Sequence, residues 1–396
     1  MKSYLSFEEL LAYQKHAEHV TEPLDQALNK LDVISRAGIG QRLASYRDLL
    51  MAEPLNQSDQ DLLRRCLDDA GFVSADPNYL TDVIPAIRDA GDTDDPVLLE
   101  GETGTGKEVI AECIHKTGLR KRGPLIKVNC GGLPDDLLES ELFGHAKGAF
   151  SGAHSERKGR FKAADGGIIF LDEIGEMSAR AQIKLLRVVD DGKVVPLGKD
   201  EGTDVDVKVV CATNKNLSEM GRSGKFREDL YYRLRGIRLT LLPLFLRPGD
   251  LVPLLVNLIG DYNDTSKRPI EHVGGWALFE LFTYRWPGNV RELKQIVRQT
   301  CRICAAGDDN ILTHLGRNRE LMSAPGLRVS GWIPAINNSM RPNYPLAEVA
   351  SAVPDFMAEI DKLIPEEDRQ YWQLSARLAR YAAETAERLQ RPSGLL

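Results

Sequence analysis

The chain has 396 residues, a length that predicts two or three folding units rather than one small module. Apolar residues make up 42% and charged residues 28%, which excludes a disordered, collagen-like or disulfide-scaffold chain. No apolar run reaches the roughly 18 residues of a membrane span and no signal core opens the chain, so we expect a cytoplasmic protein without a membrane partner. The net charge of −7 argues against broad wrapping of nucleic acid and leaves only local DNA contact.

Cysteine usage indicates reduced thiols, because the six cysteines are scattered through segments with helix and strand patterns. Cys301 and Cys304 form a CxxC without a second Cys or His pair nearby. Spacing of three residues on a helix places both on one face, so packing is favoured over a metal or redox role.

Residues 1–77 are predicted to form a small helical region. Apolar residues recur there at helical spacing at Leu24, Leu28, Leu31 and Ile34. Ser58 is a candidate N-cap and Gly71 a candidate stop signal for a later helix. We expect this region to contact a regulatory protein or a neighbouring subunit.

Residues 78–246 are predicted to form an α/β unit with a parallel sheet. Short apolar runs with the character of buried strands alternate with helical stretches, at 96–100, 125–128, 168–171 and 207–211. Strands that alternate with helices form parallel sheets, which bind ligands at the carboxyl ends of their strands.

The remaining chain is predicted to contain a helical lid, a linker and a helical tail. The lid covers 247–317, and no strand is predicted between about 250 and 316. Turn-forming residues fill 318–345, which predicts a linker. In the tail, 346–396, an apolar stripe at helical spacing is formed by Tyr371, Leu374, Leu378 and Tyr381.

A glycine-rich segment follows the first predicted strand and precedes a helical stretch. Its residues are Gly101, Glu102, Thr103, Gly104, Thr105, Gly106 and Lys107. Glycines let backbone N–H groups converge on phosphate oxygens, the helix N-terminus adds positive potential, and Lys107 reaches the terminal phosphates. A surface turn is the alternative, and the strand–helix context favours a phosphate-binding loop. Glu108 stands where Ser or Thr usually supplies a Mg²⁺ ligand.

Two carboxylates end the third predicted strand, at Asp172 and Glu173. The strand order delivers them to the same sheet edge as the phosphate-binding loop. Asp172 is expected to hold Mg²⁺ through water, and Glu173 to orient and deprotonate an attacking water. An acidic helix start is the plainer alternative for an isolated Asp-Glu pair.

With these motifs the chain resembles the AAA+ domain of bacterial sigma-54-dependent transcriptional activators. Further runs match in order: 141–145, 148–153, 170–176, 212–214, 226–234 and 286–293. The resemblance implies an AAA+ P-loop NTPase fold, with a parallel sheet and helical lid, that hydrolyses ATP with Mg²⁺. It also implies a homo-oligomeric ring, usually of six subunits. Glu after the P-loop lysine is usual in that family.

The resemblance also implies roles for individual residues. Asn129 would couple Glu173 to the state of the nucleotide, and Thr213 with Asn214 would form the first sensor. Arg227 and Arg233 would be arginine fingers that act on the γ-phosphate bound by the next subunit. A helix-surface ion pair is the alternative for these two arginines. Arg291, in the lid, would be the second sensor and close over the phosphates.

An apolar loop without catalytic side chains implies a protein partner. It consists of Gly148, Ala149, Phe150, Ser151, Gly152 and Ala153. In the family this loop engages sigma-54 in the RNA polymerase holoenzyme, normally with Thr where Ser151 stands. Ala146 and Pro196 also replace usual residues of the family, Glu and Arg.

The predicted function is ATP-driven remodelling of sigma-54 RNA polymerase. The tail lacks the basic helix-turn-helix signature that ends typical members, so DNA binding is not evident. The alternative is a non-transcriptional AAA+ remodeller that acts on another protein. The tail's stripe fits packing or oligomerisation as well as it fits DNA binding.

Overall fold

The computed structural model describes residues 57–74, 76–149, 155–244, 247–274, 277, 281, 286–306, 311–312, 315 and 343–345. None of the helices in this part of the chain combines the length and apolar character that crossing a bilayer requires. Several predictions lie outside the described residues: the helices before residue 57, positions 150–153 of the apolar loop, most of the linker, and the tail.

Helices and short strands alternate along the described chain. The helices are α1 (Gln57–Ala70), α2 (Pro77–Asp92), α3 (Lys107–Thr117), α4 (Asp135–Phe143), α5 (Arg160–Ala163), α6 (Ala179–Asp191), α7 (Leu217–Arg222), α8 (Glu228–Leu234), α9 (Pro248–Asn263) and α10 (Asn289–Ala306). The strands are β1 (Val97–Glu100), β2 (Leu125–Asn129), β3 (Gly144–His145), β4 (Arg157–Lys158), β5 (Ile168–Asp172), β6 (Lys193–Val194), β7 (Thr203–Asp204), β8 (Lys208–Thr213), β9 (Ile237–Thr240), β10 (His272–Gly274), β11 (Ile311–Leu312) and β12 (Asn343–Pro345).

The first compact unit, Leu55–Phe72 with Thr81–Pro243, is built on a five-stranded sheet in the order β2-β5-β8-β1-β9. Every strand pair in it is parallel. Strand β8 is buried along its whole length, and β5 along all but its last residue. Such apolar strands are typical of a sheet covered on both faces. The four predicted strands and the α/β fold class are confirmed, and β9 is an edge strand that was not predicted.

Helix α1 packs against α3, the helix that follows the glycine-rich segment. Leu62 and Cys66 are buried, and the thiol of Cys113 on α3 hydrogen-bonds that of Cys66, which lowers the pKa of Cys66. The helix ends at Gly71, where φ is 68° and the N–H donates to a carbonyl of the last turn, as predicted. Ser58 lies inside the first turn, so the prediction that it caps the helix was wrong.

Leu62→Ala should lower the free energy of unfolding of this unit by about 2–5 kcal/mol, because it leaves a cavity in a packed helix contact. Leu67→Ala is the matched control: Leu67 lies on the same helix but its exposed fraction is 44%, so a change within about 0.5 kcal/mol is expected. Urea denaturation followed by circular dichroism measures both. Equal losses would show that α1 is not anchored through its buried face.

The second unit contains Val73–Leu80 and the described residues from Leu244 onward. Helices α9 and α10 pack against each other in it. A small three-stranded sheet accompanies them, in which β10 pairs with β11 in parallel and with β12 in antiparallel orientation. The prediction of no strand between about 250 and 316 was therefore wrong. Strand β12 lies within the predicted linker segment, 318–345.

Asp250 is buried and ties the segment before α2 to the start of α9. Its Oδ1 accepts hydrogen bonds from the Ser74 hydroxyl, at 2.7 Å, and from the Asp76 N–H, at 2.9 Å. Arg247 lies 3.2 Å from the Asp250 carboxylate and stacks 4.3 Å from the centre of the Tyr79 ring. These hydrogen bonds and the nearby guanidinium offset the cost of burying the Asp250 carboxylate. The segment from Ser74 to Tyr79 is therefore a structural part of this unit.

Candidate functional site

The glycine-rich segment connects β1 to α3 and adopts the conformation that its glycines permit. Gly104 and Gly106 have positive φ angles of 83° and 103°, and Gly106 is the residue before α3. The Thr105 hydroxyl donates to the Glu102 carbonyl at 2.8 Å. A helix leaves its first backbone N–H groups without intrahelical acceptors, so a helix start of this kind suits an anion.

Lys107 is the first residue of α3, and its amine lies over the loop. Its Nζ donates to the carbonyls of Gly101, at 2.7 Å, and Glu102, at 2.9 Å. Glu108, the next residue, faces away from the loop: its carboxylate forms an ion pair with Lys127 on β2 at 2.9 Å. Lys107 thus presents its amine at the glycine-rich segment, whereas the Glu108 side chain contacts the edge strand β2.

Three more predicted residues end neighbouring strands at the same sheet edge. In the strand register Asn129 on β2 is paired with Asp172 on β5, and Glu100 on β1 is paired with Thr213 on β8. The carboxyl ends of these parallel strands meet there, as the sequence predicts. Burial, together with the nearby carboxylates of Asp172 and Glu173, raises the pKa of the Cys130 thiol to about 12.

Glu173 has a left-handed backbone, with φ 55° and ψ 44°. This conformation is uncommon for residues other than glycine, and strained residues of this kind cluster at functional sites. The Glu173 N–H donates to Asp172 Oδ1 at 3.0 Å, which orients the Asp172 carboxylate toward the backbone of the turn. The turn directs the Glu173 side chain across the sheet edge instead of along the strand axis.

Gly131 is a site residue that sequence reasoning missed. A Cβ built on it would lie 2.4 Å from Glu173 Oε2, so the carboxylate occupies the space that any other residue would fill. The Gly131 N–H donates to Asn129 Oδ1 at 2.8 Å. Asn129 and Glu173 therefore meet at Gly131, and no direct hydrogen bond joins these two described side chains. The Gly-Gly pair after Cys130 was the available signal.

The predicted sensor residues contact both the strand end and the loop. Thr213 is buried, and its hydroxyl accepts a hydrogen bond from the Lys215 N–H at 3.0 Å. Asn214 Nδ2 donates to the Thr103 hydroxyl at 3.2 Å. The end of β8 is thereby connected to the glycine-rich segment.

The two predicted arginine fingers pair with carboxylates of their own subunit. Arg227 precedes α8 and donates two hydrogen bonds to Asp229, at 2.9 and 2.6 Å. Arg233 lies on α8 with its Nε 2.8 Å from an oxygen of Asp190. Both arginines are exposed, and within the described residues neither pairs with the glycine-rich segment. Arg291 lies in the first turn of α10, in the other unit.

The apolar loop starts from a small antiparallel ladder of β3 and β4. Ala146 donates its N–H to the Leu197 carbonyl, and Leu197 donates to the Gly144 carbonyl, both at 2.9 Å. Gly148 has a φ of 81°, and Gly198 lies so close that an added Cβ would be 2.9 Å from the Ala149 Cβ. These hydrogen bonds and close contacts therefore fix the base of the loop. Residues 150–153 lie outside the part of the chain that the structure describes.

Two family models match consecutive parts of the chain. The sigma-54 interaction domain matches residues 73–240, and the AAA+ ATPase lid domain matches residues 246–318. These residues therefore carry a sigma-54 interaction domain followed by an AAA+ ATPase lid domain. The fold is that of an AAA+ P-loop NTPase with its lid, as the resemblance implies.

Curated relatives support the same assignment. The Nif-specific regulatory protein of Klebsiella oxytoca is 41% identical over 292 residues, which cover 71% of this chain and 55% of that protein. The regulator SfnR of Pseudomonas fluorescens is 46% identical over 227 residues, or 56% of this chain and 62% of that protein. The chain thus spans little more than half the length of the first relative.

A solved structure shares the fold. NtrX from Brucella abortus in complex with ATP aligns with a TM-score of 0.61 and 23% identity, over 91% of this chain and 75% of that chain. At this identity the likeness concerns the fold alone. It agrees with the parallel-sheet α/β fold described above.

Gly131→Ala should slow nucleotide hydrolysis by about tenfold or more while nucleotide affinity stays within about twofold, because the added methyl displaces the Glu173 carboxylate and spares the P-loop. Phosphate release and equilibrium nucleotide binding measure the two effects. Gly132→Ala is the matched control, since its Cβ would meet no atom closer than 3.6 Å. Wild-type turnover in Gly131→Ala would show that the observed Glu173 position is not required.

Proposed function

We propose that the chain hydrolyses Mg²⁺-ATP in a homo-oligomeric ring, six-membered as is usual in the family, and thereby remodels sigma-54 RNA polymerase into the open promoter complex. The supporting observation is the sheet edge that brings Lys107, Asp172, Glu173 and Thr213 together within residues matching the sigma-54 interaction domain. The relatives' names describe regulators of transcription. With this role the protein would act in the cytoplasm.

The residues present fit a nucleoside triphosphate with Mg²⁺. Positive φ angles at Gly104 and Gly106 shape a loop whose N–H groups suit phosphate oxygens. Among the described residues, no group of three or more His, Cys, Asp or Glu side chains is arranged to hold a metal ion. Mg²⁺ needs no such cluster, because it is usually held by one or two carboxylates together with phosphates and waters. Asp172 would supply the carboxylate, and the ion would neutralise phosphate charge.

Glu173 would position and deprotonate the attacking water. Its left-handed turn places a carboxylate beside Asp172 and against Gly131. Lys107 would leave the Gly101 and Glu102 carbonyls and bind the terminal phosphates. Thr213 and Asn214 would report the presence of the γ-phosphate, since Asn214 already contacts Thr103. Arg291 would contribute from the lid.

Arg227 and Arg233 would complete the site of the next subunit. Their exposure on and before α8 supports action outside their own subunit. An arginine supplied in trans stabilises the charge that develops on the transferred phosphoryl group, typically with a rate effect of about 10³–10⁵. Hydrolysis would then depend on assembly.

Mixing Arg233→Ala with Lys107→Ala subunits should restore part of the ATPase activity that each variant lacks alone. Mixed rings contain interfaces in which an intact P-loop faces an intact arginine. Phosphate release is measured across mixing ratios, with subunit exchange monitored by fluorescence energy transfer. Absence of recovery in rings shown to be mixed would assign Arg233 a role within its own subunit.

The apolar loop would deliver the mechanical output. Phe150 offers its largest apolar side chain, and Ser151 keeps the hydroxyl of the usual Thr but lacks the methyl group. The ladder at the loop's base and the Leu197 contacts would transmit movement from the ATPase unit. An ion pair between Lys199 and Glu156, at 2.7 Å, joins the same two segments.

Phe150→Ala should leave the ATPase rate nearly unchanged and weaken sigma-54 binding about thirtyfold, the loss expected for a buried aromatic anchor worth about 2 kcal/mol. Ser151→Ala should also uncouple the two activities, and Ser151→Thr should retain or strengthen binding. Open-complex formation on a sigma-54 promoter is measured beside ATPase in the same preparations. Ser155→Ala, an exposed neighbour, is the control.

If wild-type protein hydrolyses ATP but neither it nor Ser151→Thr binds sigma-54 holoenzyme, the transcriptional role is wrong. The second candidate, a remodeller of another protein, would then stand. Replacement of the usual Thr by Ser at 151, in the segment proposed to touch the partner, is the observation that favours it. A pull-down with a transition-state nucleotide analogue distinguishes the two.

A further inference from the structure

Gln182 is a buried amide that joins two functional segments of one subunit. It lies in the first turns of α6, and only 2% of the residue is exposed. Its Nε2 donates to the Met177 carbonyl at 2.9 Å and to the Lys225 carbonyl at 3.4 Å. Its Oε1 accepts from the Arg227 N–H at 2.9 Å. Both ends of the amide are therefore hydrogen-bonded.

The first segment follows the proposed water-activating residue. Glu173 is followed by a single 3₁₀ turn, Ile174–Glu176, and Met177 closes it by donating its N–H to the Ile174 carbonyl. The second segment is Lys225 to Arg227, where Lys225 and Phe226 donate their N–H groups to the Met220 carbonyl. Gln182 thus connects the backbone just beyond Glu173 to the backbone that carries Arg227.

This buried connection fixes the finger segment more firmly than the side-chain ion pairs do. The pairs of Arg227 with Asp229 and of Arg233 with Asp190 are exposed, and exposed ion pairs contribute little to a fixed geometry. Removing the Gln182 amide would leave the buried Met177 carbonyl and the half-buried Lys225 carbonyl and Arg227 N–H without this partner, which is unfavourable. The arginine side chains can therefore reorient, while the backbone position beneath Arg227 follows Gln182.

We infer that Gln182 is a positioning residue that makes the placement of a subunit's arginine fingers depend on the nucleotide in that same subunit. The inference rests on the proposed action of Arg227 and Arg233 in the neighbouring site. A displacement of the Glu173 turn reaches Met177, and the shared amide passes it to Lys225 and Arg227. Neighbouring sites in the ring are then energetically coupled.

The test uses mixed rings that contain Arg233→Ala subunits, whose intact P-loops hydrolyse ATP. The other subunits of the ring are donors, which supply intact arginine fingers, and two kinds of donor are compared. One donor is Lys107→Ala, which lacks bound nucleotide, and the other is Glu173→Gln, which retains it. Under saturating ATP the donors should support phosphate release at rates that differ at least about twofold. Adding Gln182→Met to each donor should lower kcat severalfold, leave KM for ATP unchanged and make the two rates equal.

A second variant and a matched control separate coupling from structural damage. Gln182→Glu keeps an acceptor for the Arg227 N–H but loses both donors, so it should also equalise the two rates. Ser178→Ala weakens the start of the same helix, because Ser178 caps it by accepting from the Ala181 N–H at 3.3 Å. This control should preserve the difference between donors.

The outcomes distinguish the inference from the function on which it rests. Mixed rings that release no phosphate with either donor overturn the proposed trans action, and the inference with it. Recovered activity with equal rates from the two original donors overturns the inference alone. A difference between donors that survives both Gln182 substitutions, or that Ser178→Ala also abolishes, overturns it as well.

Discussion

Parallel pairing of the central strands is the constraint on which the rest of the structure depends. Because β2, β5, β8 and β1 run in one direction, whatever follows each strand emerges at one edge. The common strand direction brings to this edge residues from distant parts of the sequence: Asn129, Asp172, Thr213 and the glycine-rich segment.

Much of the fold and site was predictable because the signals are local. Apolar runs marked four strands, and glycines followed by Lys107 marked the phosphate-binding loop. The pair Asp172 and Glu173 was found because a strand pattern ends directly before it. By contrast, the left-handed backbone of Glu173 and the contact with Gly131 arise from packing at the sheet edge, which no spacing in the sequence encodes.

The features that escaped prediction are non-local or short. Gln182 reaches Lys225 and Arg227, far along the chain, and within its own helix it has the appearance of an ordinary polar position. Strands of two or three residues, such as β10 and β11, are too brief to show a period. The ion pair of Glu108 with Lys127 likewise depends on how α3 lies against β2.

Helix α1 gives the ATPase unit a physical boundary that differs from its sequence-family boundary. The family match begins at residue 73, yet α1 ends at Ala70 and packs on α3, the helix that Lys107 opens. A fragment cut at the family boundary would therefore uncover apolar surface of α3 around Cys113. In a chain that includes α1, tension or rotation applied at residue 57 would act directly on α3, the helix that Lys107 opens.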